Sequence, residues 1–128
     1  MLFRSLVQKI HNIQDAVALK EMAREARAHK DLGAAGANVT FFAPEPGHEE
    51  KIRAVTFERG VEDFTLACGT GAVAAALVWS TQSGKKDIEV KMPGGAMTVQ
   101  FLENDPRPLM TGEAVFVGEF QYNLEVVR

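Results

Sequence analysis

Residues 66–79 read LACGTGAVAAALVW. The single cysteine of the chain, Cys68, stands directly before Gly69-Thr70-Gly71, and Ala72–Trp79 contains no polar residue. The run predicts a helix over Ala72–Trp79 that begins at Gly69. A helix that is apolar around its whole circumference has to be enclosed by protein. The fold therefore has to supply a wall around this segment, and the flanking sequence shows what that wall is made of.

Upstream, Leu2–Ile10 alternates loosely and predicts a strand. Asp15 reads as the N-cap of a helix over Ala16–Lys30. Ala16, Leu19, Ala23 and Ala26 share one side of it, and Lys20, Glu21, Arg24 and Arg27 take the other, the pattern of an outer amphipathic helix. Gly33 and Gly36 break the chain before a strand over Asn38–Ala43. PEPGHEE (residues 44–50) reads as a polar turn, and Lys51–Glu58 as the next strand.

Downstream, Ser80–Lys86 reads as a turn. Ile88, Val90 and Met92 recur at every second residue, as do Met97, Val99 and Phe101, so two strands flank the tight turn Pro93-Gly94-Gly95. A turn at ENDPRP (residues 103–108) leads to two last strands, Thr111–Phe120 and Tyr122–Val127. Strands in mostly antiparallel succession predict an α+β domain: a barrel-like antiparallel sheet wrapped around a central apolar helix, with one outer amphipathic helix. Neither a repeat nor a linker divides the chain, so residues 1–128 form one domain.

Bulk composition narrows the partners. The 128 residues carry 14 basic and 17 acidic side chains, a net charge of -3. That balance gives no electrostatic case for nucleic acid or an anionic membrane. Hydrophobic residues make up 46% of the chain and charged residues 24%, the profile of a soluble globular protein. A lone cysteine forms no intrachain disulfide, and a cytoplasmic setting is expected.

Two readings of Cys68 stand side by side. A lone cysteine is commonly a small buried hydrophobe. At a helix N-terminus, however, unpaired N–H groups and the helix dipole stabilise negative charge and favour the thiolate. The N–H groups of Gly69, Thr70 and Gly71 also suit a carboxylate or phosphate. Glu58 and Arg59 end a strand and face the same loop. They read either as a solvated ion pair or as partners for a zwitterion, with Arg59 for a carboxylate and Glu58 for an ammonium. Asn38, at a strand start, is accounted for by backbone preference alone. His11, His29 and His48 lack metal-ligand spacing, and His29 reads as compensation for a helix dipole. Gly84-Lys85-Lys86 lacks the glycine spacing of a phosphate-binding loop. A cysteine hydrolase needs a histidine partner, a pairing that is set by the fold and not by the sequence.

ANVTFF (residues 37–42), TFERGVEDFTLACGTGAVAAAL (residues 56–77), VKMPGGAMTV (residues 90–99) and MTGEAVFVGE (residues 110–119) resemble, in that order, the C-terminal half of diaminopimelate epimerase. The resemblance implies one of two pseudo-symmetric domains, each a barrel around a central helix, with the site in the cleft between them. It implies interconversion of LL- and meso-diaminopimelate by two cysteines, one removing the α-proton and the other returning a proton on the opposite face, with no cofactor and no metal. Cys68 then corresponds to the C-terminal member of the pair. Gly69 and Thr70 correspond to backbone donors to the reacting carboxylate, Glu58 to a contact of the α-ammonium, and Arg59 and Asn38 to residues that fix the distal end. Phe64 stands where the motif usually has an acidic residue, which makes the approach to the site more apolar. The family is about twice this length, and neither a second cysteine nor its Cys-Gly-Asn-Gly motif is present. The expected partners are therefore an amino-acid substrate and a missing N-terminal domain or a second copy of the chain. Three roles follow: half of an epimerase, inactive alone; a homodimeric racemase with Cys68 from each chain; or a non-catalytic domain that binds an amino acid or a protein. Apolar surface left by the missing half predicts a homo-oligomer.

Overall fold

The computed structural model describes residues 5–14 and 16–123. Among these, seven strands and two α-helices form one mixed sheet with a helix on each face. The strands are β1 (Ser5–Lys9), β2 (Asn38–Glu45), β3 (His48–Glu58), β4 (Asp63–Phe64), β5 (Asp87–Met92), β6 (Gly95–Gln100) and β7 (Leu109–Gly112). The helices are α1 (Ala16–Arg27) and α2 (Gly69–Ser83). The sheet order is β1-β2-β3-β5-β6-β7, and β4 pairs with the end of β3.

Alternation along β2 and β3 sorts the core into two layers. Val39, Phe41 and Phe57 meet Leu19 and Ala23 of α1. Phe42, Ile52 and Ala54 meet Ala72, Ala75 and Ala76 of α2, together with Ile88, Val90 and Val99. Covered on both faces, β2 is buried without interruption from Val39 to Ala43. Phe41, Phe42 and Phe57 are almost fully buried. Each contributes roughly 2–3 kcal/mol relative to exposure.

The expected antiparallel succession holds for β2–β3, β3–β4, β5–β6 and β6–β7. It fails at two joints: β1 pairs with β2 in parallel across α1, and β3 pairs with β5 in parallel across α2. A parallel pair needs a crossover connection, and each helix supplies one. The sheet is open, with β1 and β7 at its ends.

The all-round enclosure expected of α2 is not observed among the described residues. Its Gly71, Ala72, Ala75, Ala76 and Ser80 are buried, but Leu77 is 53% exposed. An open sheet covers one face of the helix and leaves a flank bare. The small residues on the covered face set a close approach. A Cβ at Gly71 would fall 2.2 Å from Thr56 Oγ1 and 2.8 Å from Thr40 Oγ1. These two buried hydroxyls are hydrogen-bonded to each other at 2.9 Å. At the other end, the Trp79 indole N–H donates to the Glu49 carbonyl at 2.7 Å, its ring packs edge-on against Phe42, and the Lys9 ammonium lies 4.6 Å from the ring centre.

Several boundaries differ from expectation, each for a local reason. α1 stops at Arg27 rather than Lys30, because the next turn tightens: His29 N–H bonds to the Ala26 carbonyl, and Lys30–Leu32 form a 3-10 turn. His29, two residues beyond the end of α1, caps that turn by accepting from the Asp31 N–H. The cap expected at Asp15 lies outside the described residues. The polar turn shrinks to Pro46-Gly47, where Pro fixes φ and Gly47 adopts φ 79°, so the strands run on to Glu45 and from His48. α2 continues into the expected turn and ends at Ser83, with Gly84 as a left-handed cap. The last strands are the largest difference. β7 covers Leu109–Gly112 only, and residues 113–123 form no strand, so the expected Thr111–Phe120 strand is cut short. Residues 124–127 of the expected final strand, and 1–4, lie outside the described residues.

Candidate active site

The sequence turns sharply between β4 and α2. Residues 65–68 bring the chain back to the sheet, where the Gly94 N–H donates to the Leu66 carbonyl at 2.6 Å. Gly94 allows this approach, because a Cβ there would lie 2.9 Å from that oxygen. Cys68 then occupies the N-cap of α2 with extended backbone (φ -143°, ψ 107°), and its side chain makes no capping bond. The first intrahelical bond runs from the Ala72 N–H to the Cys68 carbonyl at 2.9 Å. The N–H groups of Gly69, Thr70 and Gly71 therefore precede the hydrogen-bonded ladder and concentrate positive potential there.

An open pocket of roughly 840 Å³ begins at this helix end. Glu58, Cys68, Gly69 and Thr70 line it, and Val73, Leu77 and Met110 form an apolar wall. The bare flank of α2 is thus one side of the cavity. Cys68 is 8% exposed, yet it borders this space. Its Sγ lies 3.5 Å from Thr70 Oγ1, within hydrogen-bonding reach, and its N–H donates to Met92 Sδ at 3.5 Å.

Glu58 reaches the same pocket from the end of β3. The Thr65 hydroxyl donates to its Oε1 at 2.6 Å. The turn beyond Glu58 is clamped from outside by α1. Arg27 pairs with Glu62 at 2.5 Å and Lys20 with Asp63 at 2.7 Å. Glu62 adopts φ 59°, and its carboxylate also accepts from the Gly60 N–H at 3.0 Å. The Lys20 ammonium, followed by the Phe64 N–H, holds the Asp63 carboxyl below its ordinary range.

Cys68, Gly69, Thr70 and Glu58 converge on one pocket. Asn38 and Arg59 are placed together, but not among its lining residues. Asn38 Oδ1 accepts from the Arg59 N–H at 2.9 Å, and Arg59 Nη1 donates to the Ala35 carbonyl at 3.1 Å. Phe64 also departs from expectation. Its ring packs edge-to-face against Phe41 and Phe57, in the layer under α1, and not against the pocket. Thr65, Met92 and Met110 were not singled out from the sequence. Thr65 touches the site at the Glu58 carboxylate and Met92 at the Cys68 N–H, and no spacing pattern announces such contacts. Among the described residues, no group of three or more His, Cys, Asp or Glu side chains is arranged to hold a metal.

A family profile described as "Diaminopimelate epimerase" matches residues 6–117. The diaminopimelate epimerase of Gemmatimonas aurantiaca is 41% identical over 120 residues, covering 82% of this chain and 42% of that protein. That of Aquifex aeolicus is 37% identical over 118 residues, covering 89% of this chain and 41% of that protein. The chain thus spans about two-fifths of the length of these relatives. A phenazine biosynthesis protein of the PhzF family from Enterococcus faecalis superposes with a TM-score of 0.60 at 15% identity, over 77% of this chain and 34% of that one, a likeness of fold. On the profile match and on the identity to these relatives, the chain belongs to the diaminopimelate epimerase family.

Proposed function

We propose that this chain is the C-terminal domain of a cofactor-independent epimerase that interconverts LL- and meso-diaminopimelate, an isomerase of lysine and peptidoglycan biosynthesis. The observation that carries the reading is the position of Cys68: a thiol at the N-cap of α2, bordering an open pocket that Glu58 also lines. In the proposed reaction the Cys68 thiolate takes the α-proton. The N–H groups of Gly69 and Thr70 hold the α-carboxylate, where charge develops as the proton leaves. Glu58 holds the α-ammonium, and Arg59, steadied by Asn38, takes the distal end. The apolar wall of Val73, Leu77 and Met110 keeps water from the reacting carbon.

Inversion needs a second thiol on the opposite face, and the chain carries one cysteine. The opposing thiol therefore belongs to a complementary domain, which packs over the bare flank of α2 and completes the barrel around it. A second reading, in which another copy of the chain supplies that face, is favoured by the exposed apolar run Val115, Phe116 and Val117. A protein that sediments strictly as a monomer excludes it.

Transfer of deuterium from solvent to the α-carbon tests the main reading. The chain alone is expected to exchange the α-proton of diaminopimelate slowly without inverting it, and not that of proline. Cys68→Ala should abolish exchange, a loss of about 10²–10⁴-fold for a positioned base. No exchange with either diaminopimelate isomer, even with the complementary domain of a relative added, overturns the reading.

A further inference from the structure

We propose that Thr65 is a positioning residue that fixes the Glu58 carboxylate for the substrate's α-ammonium; this rests on the function proposed above. A glutamate on an open pocket wall has three rotatable bonds, and every conformer that misses the substrate weakens its contribution. Here the Thr65 hydroxyl donates to Glu58 Oε1 at 2.6 Å. That is a short, charge-assisted bond, and it leaves Oε2 to accept from an ammonium.

Thr65 is itself held. Its N–H donates to the Thr56 carbonyl at 3.1 Å, which ties it to β3 two residues before Glu58. The Ala67 carbonyl, 3.4 Å from the same residue's hydroxyl, is the longer of two acceptors for its single proton, and the carboxylate at 2.6 Å takes it. Thr65 is also three residues ahead of Cys68 in the same connecting segment. One short stretch of backbone therefore carries both the thiol and the group that orients the ammonium partner. The Thr65–Glu58 bond thus links the segment that carries the thiol to the carboxylate at the end of β3.

The test reads binding in the chain as it stands, through protection of Cys68. The rate of Cys68 alkylation by iodoacetamide is measured against rising meso-diaminopimelate, with pimelate, which lacks both amino groups, as the control. Thr65→Val removes the donor and keeps the shape. It is expected to raise the half-protecting concentration of diaminopimelate about tenfold, the effect of losing one bond to a charged group. Thr65→Ser should stay within about threefold of the original protein, because it keeps the hydroxyl. Protection by pimelate, and the alkylation rate without ligand, should be unchanged in both variants. Equal protection of the original protein and Thr65→Val by diaminopimelate overturns the proposal while leaving the function standing. A Thr65→Val effect that is as large for pimelate assigns Thr65 a merely structural part and also overturns it. An original protein that diaminopimelate does not protect removes the functional reading, and this inference with it. Should Thr65→Val alter the circular dichroism spectrum, Thr65→Ala repeats the comparison.

Discussion

Gly71 fixes the depth at which the site is built. Its missing Cβ lets α2 sit on the hydrogen-bonded pair Thr40 and Thr56, and a methyl there meets Thr56 Oγ1 at 2.2 Å. Gly71→Ala must push the helix outward or break the hydroxyl pair. It is expected to destabilise the protein by about 1–3 kcal/mol in urea unfolding, the usual cost of overpacking. Gly69→Ala is the contrast. Its added Cβ meets the flexible tip of Met110 at 3.1 Å, which can turn aside. Stability should change by no more than about 0.5 kcal/mol in the same experiment. The two glycines flank one threonine in the sequence and look alike there. Only the packing separates the one that seats the helix from the one that borders the pocket. The same holds for Asn38 and Arg59. They are 21 residues apart, and the bond from the Arg59 N–H to the Asn38 side chain follows from the pairing of β2 with β3, not from a local motif.

Among the elements, α1 acts as a clamp on the turn between β3 and β4. Lys20 holds Asp63 below its ordinary value of 3.8, so the folded state binds that proton less readily than the unfolded chain. The stability from this pair is fully present above that value and is lost as pH falls through the lower, folded one. Melting temperatures of the original protein and Asp63→Asn should therefore differ most at neutral pH and converge below about pH 3.8. Salt should shrink the difference, because both side chains are partly exposed. α1 itself was legible from its amphipathic pattern, and the β5–β6 hairpin from two alternating strands around Pro93-Gly94-Gly95. The parallel joints were not. A strand covered on both faces, such as Val39–Ala43, is apolar on both but for the Thr40 hydroxyl, so its pattern does not reveal its neighbours. The end of the chain misled for the opposite reason. Val115, Phe116, Val117 and Phe120 are residue types that favour strands, but hydrogen-bonding partners for the segment are not encoded in its own pattern.

For the molecule as a whole, the most exposed large apolar side chains among the described residues cluster in the sequence after β7. Val115, Phe116, Val117, Phe120 and Tyr122 are all at least 70% exposed. Leu109 and Met110 on the end strand β7 are also half-exposed, and exposed apolar side chains beside an open sheet edge favour association. Light scattering is expected to show an apparent mass that rises with concentration, and Phe116→Ser combined with Phe120→Ser should bring it toward the monomer. A constant monomer mass in the original protein contradicts this expectation. The two crossovers also set an order of events in time. The β2–β3 and β5–β6 hairpins join neighbouring segments of chain, whereas β3 and β5 meet only after the 28 residues between them have wound into place. In pulse-labelling during refolding, amides of the hairpins should gain protection first, and those bridging β1–β2 and β3–β5, each across 28 residues, later. Cys68 is thus carried on one of the two long crossovers, and its reactivity should mature only as that joint is made.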